Sequence, residues 1–151
     1  MRYTQGQVRD LLDLSVDGFR TWRELIPALA VHKGHGPTFT PGDVVVLAII
    51  GELVKDYGVR VGLVADRFNR LFTECRGQSW VSLETCVVVL TRDAIHVADA
   101  SASKALAAGA ATGIVIHCAP IVARLRTALV ASEIEQHQGF LQFPPTAVGA
   151  R

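Results

Sequence analysis

Two short helical patterns follow one another between Tyr3 and Arg23, with only a sharp turn to separate them. Thr4 is placed to cap the first, and Val8, Leu11 and Leu12 then fall at i, i+3 and i+4 on one apolar face. Asp13 ends this segment where the chain must reverse, and aspartate tolerates left-handed backbone better than most side chains. Ser15 is placed to cap the second helix, in which Phe19 and Trp22 lie three apart and point to a core, leaving Arg20, Thr21 and Arg23 to face elsewhere. Pro27 ends it, and Ala28 to Val31 reads as an apolar connector.

His32-Lys33-Gly34-His35-Gly36-Pro37-Thr38-Phe39 is a basic, glycine-rich loop with apolar flanks from Val31 to Phe39, suited to a two-stranded wing with a glycine tip. Thr40-Pro41-Gly42-Asp43 then puts threonine at the cap, proline at the first helical position and an acid at the third. This third helix runs to about Tyr57 and closes at Gly58; it is apolar nearly all round, which predicts the central helix of the unit. A fourth helix from about Val61 to Cys75 turns Val64, Phe68, Leu71 and Phe72 inward, and Arg76 to Ser79 reads as a linker. Two short helices, a tight turn, a loop and a longer helix make a winged helix-turn-helix. Such a unit sets its second helix into the major groove and lays its loop along the backbone.

After Trp80 the texture changes. Thr85–Leu90 is short and rich in β-branched residues, which predicts a strand, with a turn at Thr91-Arg92-Asp93 and a partner strand over Ala94–Ala98. A short alanine-rich helix over Ser101–Ala108, a strand over Gly113–His117 and a last helix from Pro120 to about Glu135 complete the pattern. The fold class expected is α+β: a mostly helical N-terminal winged helix-turn-helix over residues 1–76, then a small α+β unit over 81–151. Thr85–Leu90 must be covered on both faces, and the tail with Phe140, Leu141 and Phe143 adds more apolar surface. A unit this small has difficulty burying all of it alone, so residues 81–151 are expected to form most of a homodimer interface; the plain alternative is that this surface packs against the N-terminal domain in a monomer.

At 151 residues, half of them apolar and 19% charged, the chain is a folded protein with room for a core. No apolar run approaches the roughly 20 residues of a membrane helix. Arg9, Asp10 and Asp13 interrupt the place where a signal peptide would be apolar, so a cytoplasmic, nucleoid-associated location is expected. The three cysteines, Cys75, Cys86 and Cys118, are too widely spaced for a disulfide framework or a zinc motif. A net charge of +1 argues against bulk polyanion binding but leaves room for a local basic patch.

Tyr3-Thr4, Val8, Leu11-Leu12, Leu14-Ser15, Phe19-Arg20 and Trp22 form one block, and Leu25-Ile26-Pro27, Phe39, Thr40, Asp43 and the apolar helix ending at Tyr57-Gly58 form a second. In order and spacing these resemble the winged-helix domain of the MerR-like regulators and the related phage excisionase and terminase small-subunit domains, over residues 3 to about 65. The resemblance implies a bacterial DNA-binding module. Arg9 stands where a small residue usually packs, Asp13 replaces the turn glycine, the Trp22–Leu25 segment is short, and neither the long dimerisation helix nor the effector-binding cysteines of MerR proteins are present.

The DNA-contact residues expected are Arg20 and Arg23, supported by Ser15, Gly18 and Thr21 on the recognition helix and by Lys33 and His35 at the wing tip. Arginine on such a helix reaches phosphate or pairs with guanine; the plain alternative is a solvated helix face. His32 and His35 lie three apart but have no further close ligand, so no metal is expected. His117-Cys118 raises the question of a nucleophile, yet no phosphate loop, carboxylate pair or serine elbow accompanies it, and neither a cofactor nor an enzymatic activity is expected. The reading is a sequence-specific transcriptional regulator, paired on a palindromic or repeated site of double-stranded DNA, with a small-molecule effector open and no membrane partner. The alternatives are a protein-interaction module with the helix-turn-helix as scaffold, or an excisionase-like recombination factor.

Overall fold

The computed structural model describes residues 1–32, 36–102, 104, 108 and 111–138, with the backbone alone over 133–138. In chain order it contains α1 (Gln5–Leu12), α2 (Val16–Leu25), α3 (Pro27–Ala30), α4 (Pro41–Tyr57), α5 (Val61–Cys75), α6 (Trp80–Glu84), β1 (Cys86–Thr91), β2 (Ile95–Asp99), β3 (Gly113–His117) and α7 (Cys118–Gln138). The class is α+β, mostly helical with one three-stranded antiparallel sheet of order β2-β1-β3 among the described residues.

Helix α4 is the axis of the molecule. Every residue from Gly42 to Ile50 is buried, and so is Leu53. At roughly 1.5–3 kcal/mol for each large apolar side chain removed from water, this helix is the main apolar contributor to the fold. Helices α1, α5, α6 and α7 pack around it. Buried apolar residues from Tyr3 through Cys75 and from Leu83 through Leu125, other than Val87 and Val89, belong to one hydrophobic cluster, so the sheet and α7 share a core with the N-terminal helices.

The unalternating run in β1 has a direct cause. Central in the sheet, the strand has Val87, Val88, Val89 and Leu90 all buried. Val88 and Leu90 face the helical core, together with Ile95 on β2 and Ile116 on β3. Strand boundaries lie within a residue of the expected ones.

Three local expectations change. Ala28 to Val31 is not a plain connector: Ile26 ends α2, and Pro27, whose missing N–H costs nothing at a first helical position, opens the one-turn α3. Residues 76–79 are not a plain linker either, because Ser79 accepts from the Ser82 N–H and starts α6, a helix of five residues that is too short to show a period. The last helix begins at Cys118, ahead of Pro120. The alanine-rich helix expected over Ser101–Ala108 lies largely outside the described residues, as do the wing tip and the tail from Gly139. At the base of the wing loop, Phe39 pairs with Tyr3 in an isolated antiparallel bridge, not with another described residue of its own loop.

The start of α4 carries a buried polar hub. The Thr40 hydroxyl accepts from the Asp43 N–H at 3.2 Å, while the Thr40 N–H and hydroxyl donate to Asp43 Oδ2, each at 2.9 Å. The second carboxylate oxygen accepts from Arg76 Nε at 3.2 Å, and Arg76 Nη2 reaches the Ala28 carbonyl at 3.1 Å. Asp43 is fully buried. Aspartate, shorter than the usual glutamate, both closes the capping box and meets the end of α5. Gly42 is required beside it: a Cβ there would lie 1.8 Å from the Cys75 carbonyl oxygen. Trp80 completes the corner, donating to the Pro41 carbonyl at 2.8 Å and stacking on Tyr3.

His32 is enclosed in the same corner, stacked on Phe39 at 4.2 Å between ring centres. Burial lowers its pKa below the ordinary 6.5; the nearby Asp43 charge opposes this, while Arg76 reinforces it. Arg76 Nη2, which can only donate, lies 3.4 Å from His32 Nε2 and fits the neutral ring with that nitrogen as acceptor.

Two outcomes follow for stability. Thr40→Ala is expected to cost about 0.5–2 kcal/mol in denaturant melts, and a loss below about 0.3 kcal/mol would remove Thr40 from the cap. His32, favoured neutral in the fold, contributes stability that is fully present above its unfolded pKa of 6.5 and is lost as the pH falls from there toward the lower folded value. His32→Phe is therefore expected to flatten the stability profile just below pH 6.5, measured as melting temperature against pH; an unchanged slope would show that the ring titrates freely.

Candidate nucleic-acid interface

Helix α1 carries a full capping box between Thr4 and Gln7, and buries Val8. It ends at Asp13, whose φ of 50° and ψ of 47° place it in the left-handed region. The turn is pinned from both sides: the Leu14 N–H donates to the Arg9 carbonyl at 2.9 Å, and Arg9 Nε donates back to the Leu14 carbonyl at 3.3 Å. Arg9, out of place as a packing residue, thus ties the turn shut. Ser15 caps α2 by accepting from the Gly18 N–H at 3.0 Å. A Cβ on Gly18 would stand 3.0 Å from that hydroxyl, so the glycine gives the cap its room.

Helix α2 buries Phe19 and Trp22 and presents Val16, Asp17, Arg20, Thr21 and Glu24 to solvent. Arg20 is exposed and pairs with exposed Asp17 at 3.1 Å. In water such a pair is weak and easily exchanged. The Thr21 hydroxyl donates to the Asp17 carbonyl at 3.0 Å and is occupied within its own helix.

Arg23 lies differently. It is half-buried on the flank of α2, and its Nε is buried without a hydrogen-bond partner among the described residues. Its charge acts on His32, together with those of Arg76 and Arg2. Arg2 Nη1 also approaches the Thr38 carbonyl at 3.5 Å. Arg2, Arg23 and Arg76 thus all lie within electrostatic range of His32, Arg76 already paired with Asp43; the expected contacts Lys33 and His35 lie outside the described residues. Neither Arg2 nor Arg76 was singled out in the sequence. Arg2 is detectable only once Tyr3 pairs with Phe39, and Arg76 only once α5 meets α4.

His96 and His117 are exposed on the sheet face opposite the helical core, flanking β1 on either side. Cys118 is buried, which pushes its thiol up to about 11, so at neutral pH it holds its proton. Among the described residues no group of three or more histidine, cysteine or acidic side chains is arranged to hold a metal ion, and no helix is long and apolar enough to cross a membrane. A cleft of about 360 Å³ opens between the α1–α2 turn, α4 and α7, with Leu11, Leu14 and Ile121 on its walls and the Glu52–Arg124 ion pair beside them.

No protein-family model matches the chain, and no curated protein matches it at a significant level.

Proposed function

We propose that this protein is a sequence-specific DNA-binding regulator that acts as a homodimer, with α2 entering the major groove and the loop after His32 following the phosphate backbone. The observation that carries this reading is the α1–turn–α2 unit. Its three-residue turn is held by Asp13, Arg9 and Ser15, and its second helix buries one face while leaving the other open. Arg2 and Arg23 near the base of the loop after His32 support it, because local positive charge serves phosphate contact in a chain of net charge +1, while Arg76 beside them is committed to Asp43. One such unit makes few base contacts, and two-fold pairing would supply the remainder, through the part of 81–151 that the shared core leaves exposed, where Val115 and Val130 lie. The cleft between the turn and α7 is where a small effector would act on the helix-turn-helix.

A second reading is favoured by one feature. The open face of α2 sets Asp17 and Glu24 beside Arg20, and Val16 and Leu25 are exposed at its ends. A mixed, partly apolar face suits a protein partner, with the helix-turn-helix as scaffold.

Selection from random duplex DNA at a stated salt concentration separates the two: an enriched motif supports the regulator, and no enrichment supports the scaffold. On a selected site, Arg20→Ala is expected to weaken binding by about 1–3 kcal/mol with the melting curve unchanged, and Asp17→Asn to tighten it by about 0.5–1 kcal/mol by releasing Arg20 and removing a repelled charge. Fluorescence anisotropy reads both, and equal affinities for all three proteins would remove the outward face of α2 from the interface. Light scattering of the intact chain at micromolar concentration is expected to give a dimer mass; a clean monomer would remove the pairing.

A further inference from the structure

All three cysteines of the chain are free thiols, and the fold brings together side chains that the sequence keeps far apart. Cys75 ends α5, Cys86 opens β1 and Cys118 opens α7. The β1–β3 ladder pairs Leu90 with Ile114, Val89 with Val115, Val88 with Ile116 and Val87 with His117. Cys86 and Cys118 are the next residues beyond the last pair of this ladder, Cys118 being already the first residue of α7. Alternation puts Cys86 on the face of Val88, against the helical core; Cys118 belongs to that core and Cys86 packs on it.

Residues directly opposite in an antiparallel pair have Cβ atoms about 4.5–5.5 Å apart, against about 3.5–4.5 Å in a disulfide. The charge on Cys86 adds to the burial that raises the Cys118 pKa, and Cys118 acts likewise on Cys75, but only Cys86 and Cys118 follow directly on one ladder. Access differs between them. Cys75 and Cys118 are buried, with pKa values pushed up to about 12 and about 11, whereas Cys86 is half-exposed, its thiol directed at the Ser82 carbonyl 3.4 Å away.

We propose that Cys86 and Cys118 form an oxidative modification site, in which a peroxide oxidises Cys86 and the pair closes into an intramolecular disulfide that ties the start of β1 to the start of α7. In the first step the Cys86 thiolate attacks hydrogen peroxide, the O–O bond breaks, Cys86 becomes a sulfenic acid and hydroxide leaves. In the second the Cys118 sulfur attacks the sulfenic sulfur, the S–O bond breaks, and the Cys118 proton leaves with the hydroxyl as water. Peroxide is reduced by two electrons and the two thiols are oxidised by two. Cys75, buried on α5, stays a thiol.

Trypsin cleaves after Arg70, Arg76, Arg92, Lys104 and Arg124, which isolates the three cysteines on peptides 71–76, 77–92 and 105–124. The folded protein is treated with hydrogen peroxide, its remaining thiols are blocked, and the digest is mapped by mass spectrometry without reduction. The expected product is 77–92 linked to 105–124, with the thiol of 71–76 blocked and reversal by dithiothreitol. With Cys118→Ala, Cys86 is expected to accumulate as a sulfenic acid trapped by dimedone. A main link through 71–76, or no linked peptide while the thiols persist or are overoxidised, would overturn the proposal. The wild-type map alone decides it if the variant does not fold.

Discussion

A carboxylate with no access to water, Asp43, sits where the N-terminal helices, α4 and the end of α5 meet. Alone in such a place a charge would be heavily disfavoured. It is held by donors from one residue before the helix, Thr40, and from one far along the chain, Arg76. Because Arg76 also binds the Ala28 carbonyl, the same group fixes the α3 turn against α5. The neutral ring of His32 fills the remaining space against Phe39, and the Phe39 backbone holds Tyr3. This corner holds His32 and Phe39, the residues on either side of the segment 33–38.

Much of the fold was legible because its signals are local. Thr40-Pro41-Gly42-Asp43 forms the capping box it implies, Ser15 and Thr4 cap as expected, and the β-branched run of β1 marks a strand covered on both faces. What escaped was either too short or too distant. Helix α6, of five residues, has no room for a period, and α3 is a single turn. The Asp43–Arg76 pair spans 33 residues, and no spacing rule joins a capping acid to an arginine at the end of another helix. The same limit applies at the candidate interface. Arg20 was legible as an outward side chain, but its pairing with Asp17 and the reach of Arg2, Arg23 and Arg76 toward His32 exist only in three dimensions.

Arg9 and Asp13 show how a departure from a pattern can be compensated locally. A glycine would enter the left-handed region at the end of α1 without cost; Asp13 does so with some strain. Arg9, one turn earlier, returns part of it through its bond to the Leu14 carbonyl, and the Leu14 N–H closes the same loop from the other side. The angle between α1 and α2 is thus set by side chain and backbone together.

The strand order β2-β1-β3 has a consequence for how the molecule assembles. The middle strand emerges first, and its first partner follows across the short Arg92-Asp93 turn, so this hairpin closes at low contact order on the microsecond scale typical of such pieces. The second partner returns only after residues 100–112, and it enters the sheet already joined to α7. Seating β3 therefore coincides with docking α7 on α4 and α6, and the sheet is completed in the same step that closes the core over the N-terminal helices.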